Sequence, residues 1–286
     1  MSARTKEIYQ LHIGKLLEQF KCDSVMEMCG DWSAVINYIE GLEAAENTKK
    51  IYYIALKSTL RDMSGKDEMA KKAEAAFEAK MNAYNRKITE RYVSQELSPR
   101  EQENILPWEK VLEVREKVRV AATTLQDVQD YVMLCLYTYI PPVRLDYGAV
   151  KVVEAASDVS GNFLVVKPRY MELVFDEYKT AKRYGRRVLK VPPGLRAVLI
   201  EWLELNPSGW LLCNTLGEAM GDALLGQRLR SIFERFADGK KISCNLLRHS
   251  YISHMRRGEK PLKKQEEIAR AMGHSVGMSQ MYRKLF

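Results

Sequence analysis

The chain has 286 residues, 46% hydrophobic and 29% charged, the profile of a soluble globular protein long enough for two domains. Its net charge of +8 is uneven: residues 1–93 carry 15 basic and 14 acidic side chains, the remainder 30 and 23. That surplus favours a polyanionic partner. No run approaches the roughly 18 to 20 apolar residues of a membrane span, and MSARTKEIYQLHIGK lacks the apolar stretch of a secretory leader, so a cytoplasmic or nuclear protein is expected.

In chain order, apolar residues at helical spacing predict helices over Thr5–Phe20, over a segment capped by Asp31 and carrying Trp32 to Ile39, and over Thr48–Met63. A further helix rich in Ala, Lys and Glu is expected from about Lys66 to Tyr92. Residues 1–93 thus read as a helical bundle. Residues 94–107, with turn formers and little periodicity, read as a linker, and residues 108–286 as a second domain. There Trp108–Ala122 and Leu125–Tyr139 look helical, the latter stopped by Pro141-Pro142. Short β-rich pieces follow at Val150–Val153 and Phe163–Val166, and Leu173–Phe175 is expected to pair with Arg187–Val191 as a hairpin. Helices return at Leu195–Leu205, at Leu224–Ala237, and from about Leu246 onward. The expected class is mainly α with a small antiparallel β-sheet. The five cysteines form no CxxC pair and read as free thiols; with four scattered histidines, no metal site is expected.

Several residues have the chemistry to act on a phosphodiester. Arg248 sits on an otherwise apolar helical stretch, where an arginine costs stability unless paired or used. Arg144 stands at a corner after the two prolines, with Asp146 as a candidate ion-pair partner. Two arginines on one phosphate would neutralise its non-bridging oxygens through bidentate hydrogen bonds. His274 follows Gly273 in a turn, and Tyr282 is the only tyrosine after Tyr251, which makes it the candidate nucleophile. The hairpin tip, Tyr178 to Arg187, reads either as a solvated charged turn or as a basic finger on DNA. In the second reading Lys182, Arg183, Arg186 and Arg187 contact the backbone, and Lys179 serves as a point charge or proton donor.

These residues, in this order, resemble the tyrosine recombinases (the phage-integrase family), whose catalytic fold is shared with type IB topoisomerases. The resemblance covers roughly residues 98–286, and residues 1–93 look like the family's core-binding domain. It implies that Arg144 is the first catalytic arginine, Lys179 the β-hairpin lysine, Arg248 the second arginine, His274 the histidine of the Gly-His motif and Tyr282 the nucleophile. It further implies double-stranded DNA as substrate, a 3′-phosphotyrosyl intermediate, no cofactor or metal, and a tetramer of copies on DNA. Four features depart from the pattern. Asn245 occupies the place of a usual histidine or lysine, and Pro-Pro-Val precedes Arg144, with Asp146 two residues after it. Tyr282 follows His274 by eight residues where nine is common, and four residues follow Tyr282, without the helix many members dock on a neighbouring protomer. A type IB topoisomerase and a catalytically weak DNA-binding relative are the alternatives.

Overall fold

The computed structural model describes residues 3–63, 67–155, 160–256 and 262–284. The chain divides into two compact units, Met1–Ser94 and Gln95–Phe286.

The first unit is helical: α1 (Ala3–Phe20), α2 (Val25–Met28), a 3₁₀ turn (Cys29–Asp31), α3 (Trp32–Gly41), α4 (Glu46–Arg61) and α5 (Glu68–Val93). Lys66, the expected start of the last helix, lies outside the described residues. Local chemistry sets several helix starts. Ser24, Asp31 and Asp67 each accept a hydrogen bond from a first-turn amide (Glu27, Ala34 and Ala70), satisfying a donor that has no partner within the helix. Leu16, Val35, Ile39, Tyr53, Leu56, Leu60 and Phe77 are fully buried, each side chain contributing about 1.5–3 kcal/mol by leaving water. One charge enters this packing. The Glu40 carboxylate accepts from the Tyr53 hydroxyl at 2.6 Å and the Tyr84 hydroxyl at 3.0 Å, with Lys80 Nζ 3.9 Å away.

The second unit opens with α6 (Pro99–Asn104), within the segment expected to be a linker. Ser98 and Glu101 form a reciprocal capping box around Pro99, and Asn104 is buried, its side-chain oxygen accepting from the Lys241 amide at 2.6 Å. The helices α7 (Trp108–Ala121) and α8 (Leu125–Thr138) pack against each other, and with α10 (Pro193–Leu205) and α11 (Gly221–Phe236) they enclose the main core. A small mixed sheet lies against this core: β1 (Val150–Val153), β2 (Asn162–Val166), β3 (Met171–Phe175) and β4 (Arg187–Lys190), in that spatial order. The hairpin forms as expected, with Phe175 opposite Arg187, and a short helix α9 (Ala181–Tyr184) occupies its tip. The first pair departs from the expectation of an antiparallel sheet, because β1 and β2 run parallel. Pairing direction is set by how the chain returns, which the strands' own residues do not encode. In the region from Leu246 onward, where helices were expected with a turn at His274, the described residues form α12 (Cys244–Met255), α13 (Leu262–Ala271) and α14 (Val276–Tyr282).

Two devices shape the corner between α8 and β1. Tyr137 donates to the Arg144 carbonyl at 2.7 Å and Tyr147 to the Leu136 carbonyl at 3.1 Å, their rings meeting edge-on at 5.2 Å. Behind them the chain at Gly148 touches the backbone of Gly221, where any Cβ would lie 2.6 Å from a carbonyl carbon. The five cysteines are free thiols. Among the described residues no helix is long and apolar enough to cross a membrane.

Candidate active site

Arg248 is reached from sequence through one amide cap. Ser243 receives the Leu246 amide and starts α12, and Arg248, five residues after Ser243, points into the protein, 0% exposed. Its Nη1 donates to the Pro142 carbonyl at 2.7 Å and the Met272 carbonyl at 3.2 Å. One guanidinium thereby fastens the corner that carries Arg144 to the turn that carries His274. Its Nε and Nη2 are buried without a hydrogen-bond partner. Such orphaned donors each cost about 1–3 kcal/mol in a folded protein, which argues for a ligand rather than for stability.

His274 owes its place to the helix end before it. Gly273, at φ +69°, donates to the Arg270 carbonyl and His274 to the Ala269 carbonyl, each at 3.0 Å. These are the paired bonds of a glycine-terminated helix. Ser275 then caps α14 by accepting from the Met278 amide at 3.2 Å. Held between a helix stop and a helix start, the imidazole is buried with neither ring nitrogen bonded. Burial, and then the charges of Arg248, Arg144 and Arg187, push it down to about 3, so it is neutral near pH 7.

Tyr282, two turns along α14, stacks on His274 with ring centroids 5.3 Å apart and meets His249 at 4.9 Å. The Arg248 guanidinium lies 4.8 Å from the phenol ring centroid. His249 Nδ1 is 2.7 Å from the Tyr282 carbonyl. A carbonyl only accepts, so that nitrogen carries the proton. The other side of His249 faces Glu101 at 3.7 Å. Burial pulls the Glu101 carboxyl up, but Ser98 and the nearby Lys284 and His249 charges hold it below its ordinary range. Beyond Tyr282, the Lys284 amide donates to Ser253 at 2.9 Å, closing the end of α14 onto α12.

The other expected residues are distributed as follows. Arg144 is half-buried, its charge acting on both His274 and Arg248. Lys179 is exposed on the hairpin loop, and it makes no ion pair or hydrogen bond among the described residues. The next residue, Thr180, donates to the Gly273 carbonyl at 2.9 Å, which brings that loop against the His274 turn. Asn245 is exposed on the first turn of α12, one turn before Arg248. Lys182 and Arg183 are exposed on α9, whereas Arg186 is tied to Asp176 by two bonds of 2.7 and 2.6 Å.

Arg187 differs from the other basic residues of the hairpin. Expected on the DNA-facing finger, it is only 6% exposed. It occupies the Asp146 carboxylate at 3.7 Å, so the partner expected for Arg144 belongs to a different arginine. The sequence reading also passed over Asn162. Its side chain donates to the Asp146 carbonyl at 3.2 Å and the Glu177 carbonyl at 2.8 Å, and accepts from the Asp176 and Glu177 amides at 3.0 and 2.9 Å. It fixes the Arg144 corner to the root of the Lys179 loop, and no motif marks it. His249 was adjacent to Arg248 and could have been read as its companion.

No family model matches the sequence, and no curated protein matches it. Solved structures do. One is XerH site-specific recombinase bound to difH substrate, a pre-cleavage complex: TM-score 0.54, 17% identity, covering 86% of this chain and 63% of that one. A second is XerH bound to palindromic difH substrate, a post-cleavage complex: TM-score 0.56, 15% identity, covering 98% of this chain and 75% of that one.

Proposed function

We propose that this chain, which has the tyrosine-recombinase fold, is a site-specific DNA recombinase or integrase with Tyr282 as its nucleophile. The observation that carries the reading is the buried pair of Arg248 and His274, with unbonded nitrogens, beside the ring of Tyr282. A phosphodiester supplies what those nitrogens lack. Its non-bridging oxygens accept from Arg248 and Arg144, which offsets the charge that builds as the phosphorus becomes five-coordinate. The Tyr282 phenol gives up its proton, for which the neutral His274 imidazole stacked on it is the acceptor in this reading; its oxygen attacks phosphorus, the bond to the 5′ oxygen breaks, and a 3′-phosphotyrosyl link forms. The departing 5′ oxygen takes a proton, for which the exposed ammonium of Lys179 is the donor in this reading. Asn245 has no proton to exchange and contributes at most a hydrogen bond.

Re-attack by a 5′-hydroxyl from a partner strand reverses these steps and completes the exchange. The link conserves the phosphodiester bond energy, so the scheme calls for neither ATP nor a metal. In this reading the first unit clamps the DNA as a core-binding domain, and other copies of the chain occupy the paired site.

Incubation with nicked duplexes carrying candidate sites tests the proposal. Wild-type protein is expected to form an SDS-resistant, protease-sensitive adduct, and Tyr282→Phe none. An adduct formed by Tyr282→Phe would remove Tyr282 as nucleophile. Relaxation of any plasmid without strand exchange between paired sites would replace recombinase by type IB topoisomerase.

A further inference from the structure

Arg187 is the one guanidinium at this site for which the recombinase scheme has no task. It is only 6% exposed, enclosed by neighbours from several segments. Its carbon centre lies 4.8 Å from the Phe175 ring centroid and 4.6 Å from that of Tyr178. Its Nη2 faces Asp146 at 3.7 Å. Gly273 lies so close that a Cβ there would collide with Nη1. Burial lowers the arginine's pKa, an effect that the Asp146 carboxylate opposes.

Those neighbours belong to three different parts of the proposed machinery. Asp146 is two residues from Arg144, Tyr178 immediately precedes Lys179, and Gly273 immediately precedes His274. Thr180, bonded to the Gly273 carbonyl, closes the circuit from the opposite side. All three Arg187 nitrogens are buried without hydrogen-bond partners. The side chain is therefore held by charge and by ring faces, a use that suits the planar guanidinium better than a lysine ammonium. What sets it apart from Arg248 is its company: Arg187 already faces the Asp146 carboxylate, whereas Arg248 is bonded to the Pro142 and Met272 carbonyls.

We propose that Arg187 is a positioning residue that holds the Arg144 corner, the Lys179 loop and the His274 turn in register with one another. The proposal rests on the recombinase reading for its consequence in catalysis, but not for the mechanical coupling itself. Without Arg187 the Lys179 loop and the Gly273-His274 turn lose their common wedge, and a misplacement of about 1 Å among reacting groups costs about 100-fold in rate.

Two measurements on the full chain decide it. The first is amide hydrogen exchange in the free protein. Arg187→Met is expected to raise exchange at residues 178–185 and at 272–275 together, by about tenfold or more, with the first unit unaffected. The second is adduct formation on nicked duplex at saturating DNA. The rate is expected to fall about 100-fold while affinity and its salt slope stay at the wild-type value. Unchanged exchange in either segment would overturn the coupling. A salt slope reduced by about one unit would overturn it differently, by making Arg187 a phosphate contact. If Arg187→Met does not fold, Arg187→Lys replaces it, since it keeps the charge and loses the stacked plane; the same two segments are expected to open. If the wild type forms no adduct on any duplex, the recombinase reading fails, and the exchange measurement still decides the role of Arg187.

Discussion

In the first unit the carboxylate of Glu40 enters the packing with its hydrogen bonds made, to Tyr53 and Tyr84, and with Lys80 nearby. In the second, Arg248, Arg187 and His274 are buried with seven side-chain nitrogens among them unbonded. The same cost of taking charge out of water is met at Glu40 and left open at the arginines. A satisfied buried group is what a stable bundle needs. Unbonded buried donors lower stability, and in the recombinase reading those of Arg248 persist because an anionic group is received there. The contrast separates a scaffold from a site without reference to any motif.

The largest effect should come from exchanging charge for shape on each side of this contrast. Arg248→Met is expected to reduce cleavage by about 10²–10³-fold, the usual scale for losing a donor aimed at transition-state charge. Its net effect on stability to urea should be small, since relief of a buried charge is offset by loss of the hydrogen bonds to the Pro142 and Met272 carbonyls. Glu40→Gln should do the reverse, costing about 1 kcal/mol, a figure discounted because the carboxylate is partly exposed, and leaving adduct formation intact. A loss of stability in Arg248→Met matching that of Glu40→Gln would erase the distinction.

A smaller effect concerns pH. The His274 imidazole ordinarily titrates near 6.5 and is held at about 3 in the folded chain. Between those values the unfolded chain binds a proton that the folded chain refuses. Its contribution to stability is therefore complete above about pH 6.5 and is lost as pH falls toward 3, at up to about 1.4 kcal/mol per unit. His249, also lowered by burial, adds to the same slope. Urea midpoints between pH 4 and 7 should flatten in His274→Gln. An unaltered slope would mean that neither burial nor the neighbouring arginines keep the proton off this ring.

The smallest expected effects lie on the hairpin. Removing Lys182 or Arg183 should lower the salt slope of DNA binding by about one unit each, and removing Arg186 by less, because Asp176 already neutralises it. Equal slopes for all variants would place the DNA elsewhere.

Most of the helices were legible because their apolar spacing and caps are local. The hairpin was legible too, since Leu173–Phe175 and Arg187–Val191 flank an obvious turn. The burial of β4 was not. Its Arg187 points inward and Val188 is half exposed, so the alternation runs opposite to what polarity suggests. The helix at 99–104 was missed although Ser98-Pro99-Arg100-Glu101 spells a capping box, because a proline followed by five polar residues shows no period. The parallel pairing of β1 with β2 and the four bonds of Asn162 depend on distant residues, and no window of sequence holds them.

The hold on Tyr282 has a consequence for stoichiometry. The ring stacks on His274 and beside Arg248 of its own polypeptide, and the carbonyl is held by His249 of that same chain. On the reading proposed above, each copy would then use Tyr282 with Arg248 and His274 of its own chain. In a mixed assembly, a copy lacking Tyr282 would silence one strand and spare the rest, and two differently crippled copies would not repair each other. Cleavage, counted strand by strand, would then fall in proportion to the defective fraction, while strand exchange, which needs a second cut strand, would fall more steeply.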